Sequence, residues 1–439
     1  MESNAAIDYR QLGLKKKTKK TYIGLVLFAL VILLAASITD AAGHITLIAY
    51  VFVSLFIYLV FKSVDIVIII SAAVLINSAL ADGSMLGISI RMILLLLLII
   101  SYIKHIKDVQ RKKKLIVPGW FYFLWFVFIL IVNVGMYGAS FMDQIPLLLL
   151  FLLSYQLQII VKINRETADK FLIVVVMAFL FISLVCYLEL GLRHTFFYSR
   201  WVGNERFRNG IMRAGSTVSD PNNVCFMLVP FIFIMETNAL KNLFPKITRR
   251  IIEILLIGSI ILTSSRAGLV ALFVGVMIYF IAQKKVIMLL LIPALAFGLN
   301  FGLRVLEGII GQYAESTNYR NYVLESALLE WSTHPLLGNG SSVISQLFGS
   351  KVNTMNSYVY MLICYGIIGL IFFILFLVFL IKIDLAFWFK NKAKSSDQLL
   401  KICSVVTMAI IAYTLDTFYM PLMWSFPAVF IAVNYRSKE

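Results

Sequence analysis

The arginines carry the first chemical signal. Hydropathy and loop charge divide the chain between two sides of a membrane. That division leaves 23 of the 24 lysines and six of the 15 arginines on the cytoplasmic side. The other side and its boundary hold Lys351 and nine arginines: Arg91, Arg193, Arg200, Arg206, Arg208, Arg213, Arg266, Arg304 and Arg320. A general preference for basic cytoplasmic loops counts both residue types alike, so it gives no reason for this sorting. Recognition of phosphate or carboxylate does, because a guanidinium presents a rigid fork of donors that an ammonium lacks. Five of these arginines fall within 191–223.

Three short constellations surround them. In the first, Arg213-Ala-Gly-Ser-Thr-Val-Ser-Asp220-Pro221-Asn222-Asn223 runs straight into an apolar stretch. Ser219 or Asp220 can cap a helix there, with Pro221 in its first turn, so the outward amides and Arg213 together favour an anion. Asp220 reads equally well as a plain helix start. The second, Thr263-Ser-Ser-Arg266-Ala-Gly268, is a tight reversal between two apolar stretches that fixes Arg266 at one depth. The third is Arg320…His334-Pro-Leu-Leu-Gly338-Asn-Gly340, followed by Asn356-Ser357-Tyr358. Glu325, Glu330 and His334 are its candidate bases, with Asp220 further off. Tyr198, Trp201, Tyr313, Tyr319, Tyr322 and Trp331 add aromatic faces to the same segments.

The elements that must position these residues are apolar helices. Hydrophobic residues make up 61% of the chain and charged ones 14%, with a mean hydropathy of +0.92. An ordinary soluble domain is nearer half apolar. Candidate spans are 22–39, 45–61, 65–80, 88–103, 115–137, 145–161, 171–190, 224–238, 251–265, 267–282, 286–303, 358–381, 402–417 and 419–433, each about long enough to cross a bilayer core. The expected fold is therefore an all-α polytopic membrane protein of about 14 transmembrane helices with two long extracytoplasmic loops. Its order is a basic tail (1–21), N-terminal helices (22–190), an outer basic loop (191–223), central helices (224–303), a second outer loop (304–357) and C-terminal helices with a short tail (358–439). Within the second loop, 317–331 reads as a surface helix with Leu324, Leu328 and Trp331 on one apolar face. Both termini are expected in the cytoplasm.

The net charge of +17 flanks spans and implies headgroup contact with the lipid bilayer rather than nucleic-acid binding. Cys186, Cys225, Cys364 and Cys403 lie in or beside spans, without metal-ligand spacing or a disulfide framework. No carboxylate cluster suggests a divalent ion, and no metal or cofactor is expected.

Taken in order, four marks resemble the O-antigen ligase and polymerase superfamily. They are Arg213-x-Gly…Asp-Pro-Asn222, Ser265-Arg266-Ala-Gly268, Arg320…His334-Pro-Leu-Leu-Gly-x-Gly340, and Asn356-Ser-Tyr with Tyr365-Gly-Ile-Ile-Gly369. The resemblance covers about Arg213 to Ile381. It implies a membrane glycosyltransferase of the bacterial cytoplasmic membrane, acting on its outer face on polyprenyl-diphosphate-linked oligosaccharides. It also implies diphosphate binding by Arg213 and Arg266, with Arg320 joining them. Arg200, Arg206, Arg208, Asp220, Asn222 and Asn356 are expected to contact substrate. The sequence departs at Met355, where ligases of the family carry a histidine taken as their base; a thioether accepts no proton, so the base is left open among Glu325, Glu330 and His334, with Asp220 further away, Glu325 and His334 standing first. A polysaccharide polymerase is the expected activity, with a flippase and a chain-length regulator as expected partners. A ligase acting on a terminal acceptor, or a carrier of lipid-linked oligosaccharide, are the alternatives.

Overall fold

The computed structural model describes residues 22–39, 43–77, 80, 84–85, 88–110, 115–193, 207–208, 211–218, 220–283, 313–348, 356–390 and 396–436. Apolar runs become helices because a backbone surrounded by lipid must satisfy its own hydrogen bonds. In chain order these are α1 (Tyr22–Thr39), α2 (His44–Phe61), α3 (Val64–Ile76), α4 (Ile90–Gln110), α5 (Gly119–Leu130), α6 (Ile145–Val161), α7 (Arg165–Leu192), α8 (Pro221–Met235), α9 (Asn238–Leu243), α10 (Lys246–Leu262), α11 (Arg266–Ala282), α12 (Tyr313–Trp331), α13 (Val343–Phe348), α14 (Ser357–Lys390), α15 (Ser396–Ala412) and α16 (Pro421–Arg436). Among the described residues the only strands are two antiparallel pairs, Ser84–Met85 with Ile88–Ser89 and Phe207–Arg208 with Ile211–Met212.

Six helical segments are long and apolar enough to cross a membrane unaided: Tyr22–Thr39, His44–Phe61, Gly119–Met136, Phe141–Val161, Arg165–Leu192 and Ser357–Phe389. Val64–Ile76, Pro221–Met235, Arg266–Ala282 and Pro421–Tyr435 are shorter apolar helices. The expected span 286–303 lies outside the described residues. The expected span 402–417 is shorter than its hydropathy suggested: α15 stops at Ala412, leaving Asp416 in a connecting loop.

Helix direction follows from a few bonds. Asn238, just past α8, donates its amide to Asp397 at the start of α15 (3.0 Å), so α8 and α15 run antiparallel. Ser357 at the start of α14 bonds Leu415 O beyond the end of α15 (2.8 Å), while Lys401 pairs with Asp384 far along α14. Those two are antiparallel as well. Small residues let the helices close on one another. A Cβ on Gly268 of α11 would lie 2.4 Å from Cys225 Sγ on α8, and one on Gly275 would lie 2.5 Å from Phe233. On the other flank, Trp125, Phe151, Phe376, Phe418 and Trp424 form a buried aromatic core whose ring centroids stand about 5 Å apart.

The sorting of the basic residues appears in this frame. Among the described residues, Lys62, Lys104, Lys170, Lys241, Lys246, Lys382 and Lys401 lie toward one end of the bundle. Arg91, Arg193, Arg213 and Arg266 lie toward the other, which holds the three constellations.

Candidate functional site

The first two constellations meet at a seam between two helix N-termini. The Phe207–Arg208 and Ile211–Met212 hairpin delivers the chain to Arg213, which is buried. Its Nε donates to Thr263 O (2.9 Å) and its Nη2 to Asn222 Oδ1 (3.3 Å). The same Asn222 oxygen accepts from Ser265 Oγ (2.9 Å), so one amide side chain ties the start of α8 to the start of α11. Asp220 caps α8 by accepting from Asn222 N (2.6 Å), with Pro221 following it. Ser265 caps α11, accepting from Gly268 N (3.4 Å), and Arg266 is the first residue of that helix. Ser264 takes a positive φ of 50°, making the turn as tight as the sequence suggested. Two helix N-termini and two guanidinium-bearing residues thus converge on one spot, each favouring an anion.

Behind the seam the loop after Arg213 is fastened to the bundle by residues that sequence reasoning missed. Glu189, fully buried near the end of α7, accepts from Gly215 N (3.0 Å) and Ser216 N (2.8 Å). Thr217 Oγ1 donates to Asn77 Oδ1 at the end of α3 (2.5 Å), and Ser216 Oγ donates to Ile182 O (2.7 Å). A carboxylate late in an apolar helix was the one available signal for Glu189. Its partners are backbone amides, which no side-chain pattern reveals.

The third constellation forms a neighbouring structure at the same end, where its motif is a backbone clamp. Helix α14 is broken at Gly366, whose φ of 64° and ψ of −165° interrupt the helical ladder. The His334–Gly340 segment fills the break. Ile367 N donates to Pro335 O (2.9 Å), Asn339 N to Ile363 O (2.8 Å) and Gly340 N to Cys364 O (2.9 Å). Irregular backbone beside lipid requires such partners. Gly338 and Gly366 permit the approach: a Cβ on the first would lie 2.4 Å from Tyr365 N, and one on the second 2.2 Å from Leu336 O. A wide π-helical turn, Ile131–Met136, braces the clamp. Its Asn133 accepts from Ser341 N (2.9 Å) and donates to Tyr365 Oη (3.2 Å), while Tyr137 Oη donates to Gly338 O (2.8 Å).

The remaining expected residues fall as follows. His334 is exposed, with Nδ1 2.6 Å from Asn339 Oδ1. Asn339 Nδ2 donates to Glu330 O (2.9 Å), so its oxygen faces the imidazole; Nδ1 then carries the proton and Nε2 is the acceptor. Glu325 is exposed on α12. Arg320 lies in the first half of α12 and Arg208 in the short hairpin, whereas Arg200, Arg206, Ser219 and Met355 lie outside the described residues. Asn356 caps α14, accepting from Tyr358 N (2.9 Å) and Val359 N (3.2 Å). Helix α12 does form, but Val323 and Ala327 make its buried face, leaving Leu324 and Leu328 exposed. Packing against α14 selects that side, so the expected apolar face is the outward one.

Fold and site define a polytopic helical membrane protein whose polar chemistry is gathered at one end of its bundle. Residues 251–374 match the family model described as O-antigen ligase, and this supports the O-antigen ligase and polymerase superfamily. The matched segment runs from α10 past the break in α14, taking in Arg266, Arg320, Glu325, His334 and the clamp; Arg213 lies before it. No curated protein matches the chain.

Proposed function

We propose that the chain is a polysaccharide polymerase, a glycosyltransferase that joins polyprenyl-diphosphate-linked oligosaccharide repeats on the outer face of the bacterial cytoplasmic membrane. In this reading about 14 helices cross the bilayer, both termini are cytoplasmic, and the end bearing Arg213 and Arg266 faces outward. The observation that carries it is the seam at Asn222, where Arg213 and the N-termini of α8 and α11 are held together by named bonds. Breaking a sugar–diphosphate bond builds negative charge on the leaving group, and donors fixed beforehand stabilise that charge without reorganising. Arg213 and Arg266 bind the diphosphate, and Arg320 joins them from α12. Arg200, Arg206, Arg208, Asp220, Asn222 and Asn356 contact the glycan or its carrier as part of the same proposal. Of the base candidates read from the sequence, His334 is the better supported, because Asn339 leaves its Nε2 able to accept a proton; Glu325 stands in the open. A flippase supplying the repeats and a chain-length regulator are the proposed partners.

A ligase that transfers the glycan to a terminal acceptor is the second reading, favoured by the description of the matched family. It would use the same diphosphate seam. Nothing favours the carrier reading.

The test uses purified protein in liposomes containing a polyprenyl-diphosphate-linked repeat, with chelator and without nucleotide, resolved on a gel. A ladder of repeat multiples is expected. Arg213→Ala and Arg266→Ala should each abolish it while leaving folded protein, and Arg213→Lys should restore little, because an ammonium lacks the fork. Normal ladders from both alanine variants would sink the diphosphate site. Transfer only to an added terminal acceptor would replace polymerase by ligase.

A further inference from the structure

The proposed transfer needs a group to receive the acceptor hydroxyl's proton, and the loop between α15 and α16 holds a carboxylate built for that task. The loop is fastened on both sides of Asp416. Leu415 O accepts from Ser357 Oγ (2.8 Å), and Thr417 N donates to Ser357 Oγ (2.7 Å). Beyond them, Trp424 Nε1 donates to Phe418 O (2.8 Å). Asp416 Oδ1 accepts from Phe418 N (3.2 Å), which orients the carboxylate. The titratable groups facing it are Tyr360 and Cys364 of α14 and Tyr419 of its own loop. Tyr365 adjoins the group, with its ring centroid 6.2 Å from that of Tyr360, while Tyr360 Oη donates to Tyr419 Oη (3.3 Å). Among the described residues no lysine, arginine or histidine acts on the Asp416 carboxyl.

This arrangement differs from the other acids and the imidazole at the same end. Glu189 and Asp220 are occupied with backbone amides, Glu325 is exposed, and His334 faces solvent. Asp416 is half-buried, as Glu330 also is, but no cation among the described residues acts on it, and it sits beside the buried Tyr360 and the exposed Tyr419, whose hydroxyl can bond a sugar. It also lies at the bundle end that carries Arg213 and Arg266, because α15 ends there.

We propose that Asp416, in place of His334, is the general base of the transfer, receiving the proton of the acceptor sugar's hydroxyl. That oxygen forms the new bond to the donor's anomeric carbon. The old bond to the diphosphate breaks, and its electron pair leaves with the polyprenyl diphosphate. The proton passes from Asp416 to water when the product moves on. The assignment rests on the glycosyl-transfer reading above. Burial pushes the Asp416 carboxyl up to about 6, so it is ionised at neutral pH yet more basic than an ordinary aspartate.

The full chain in liposomes is assayed between pH 5 and 9 with the lipid-linked repeat, alongside Asp416→Asn and Asp416→Glu, with binding of the lipid-linked repeat measured separately. Asp416→Asn should lower the transfer rate about 10²–10⁴-fold, as expected for loss of a base, with donor binding unchanged. The wild-type rate should fall below an apparent pKa near 6, and residual Asp416→Asn activity should lack that limb. Asp416→Glu should keep part of the rate with the limb displaced. A wild-type rate from Asp416→Asn, or the same acid limb in it, overturns the assignment and leaves the transferase standing. Loss of donor binding or of folded protein in both variants also overturns it, marking a structural role. A wild-type protein that makes no glycan product at any pH instead removes the transferase reading itself.

Discussion

Asn222 is the residue on which the proposed diphosphate site turns, because its single oxygen receives both Ser265 Oγ and Arg213 Nη2. Asn222→Asp keeps both bonds possible and adds a negative charge beside the guanidinium. The seam should therefore survive, but the added anion competes with the donor's own charge. We expect folded protein whose KM for the lipid-linked donor rises roughly tenfold or more, about 1.4 kcal/mol or above, seen in steady-state kinetics; unchanged KM would exclude a diphosphate at this seam. Asp416 makes a second prediction. Its folded pKa of about 6 exceeds the ordinary value of 3.8, so the folded protein holds this proton more tightly than the unfolded chain does. The associated stabilisation is full below about pH 4 and is lost as pH rises through about 6. Asp416→Asn should then melt higher than wild type at pH 8, with the gap narrowing toward pH 5 in thermal unfolding. Arg213 and Arg266 were legible in the sequence because each stands in a short polar motif where an apolar run begins. Glu189 and Asn77 were not, since they hold backbone and loop hydroxyl groups. Asp416 fell near the end of an apolar window, 402–417, that hydropathy read as helix.

Helices were the more legible scale, because a run of apolar residues in lipid has few other ways to satisfy its backbone. The starts of α8, at Asp220-Pro221, and of α11, at Ser265-Arg266, were readable from their caps. The break in α14 was not. Residues on both sides of Gly366 are apolar, and the interruption exists only because the Pro335–Gly340 backbone occupies it. The inward face of α12 was not legible either: apolar residues fit two faces, and the partner helix packs against Val323 and Ala327 while Leu324 and Leu328 stay exposed. The clamp supplies the prediction at this scale. Gly338 has a φ of 75°, and a Cβ there meets Tyr365 N at 2.4 Å, backbone against backbone. The left-handed conformation alone costs an L-residue about 1–3 kcal/mol, and the collision forces the segment out of the break. Gly338→Ala should lower the melting temperature and remove transfer together. Gly24→Ala, whose Cβ meets nothing within 4 Å, should leave both unchanged. Equal melting of the two variants would mean that the clamp does not hold α14.

Among the described residues, one end of the bundle gathers the lysines, Arg165, Arg249, Arg250 and their ion pairs, and the other gathers Arg91, Arg193, Arg213, Arg266, caps and the broken helix. At the lysine end, Lys104 pairs with Asp65, Arg250 with Glu236, and the buried Lys401 with Asp384. The tendency of basic residues to remain cytoplasmic supports the proposed orientation, in which that end lies inside and Arg213, Arg266 and Asp416 face outward together. The orientation is a physical commitment, since reversing it would put the proposed chemistry on the side of nucleotide-linked sugars. All four cysteines are buried and in no disulfide, so a single added thiol can report its side with little background. Met142, exposed near the start of α6, and Lys246, exposed at the start of α10, lie at opposite ends. In intact cells a membrane-impermeant maleimide should label Met142→Cys and reach Lys246→Cys only after permeabilisation. The opposite pattern would invert the bundle and remove the outer-face transferase, because the seam, the clamp and the Asp416 loop are joined to the same ends of the same helices and must change sides together.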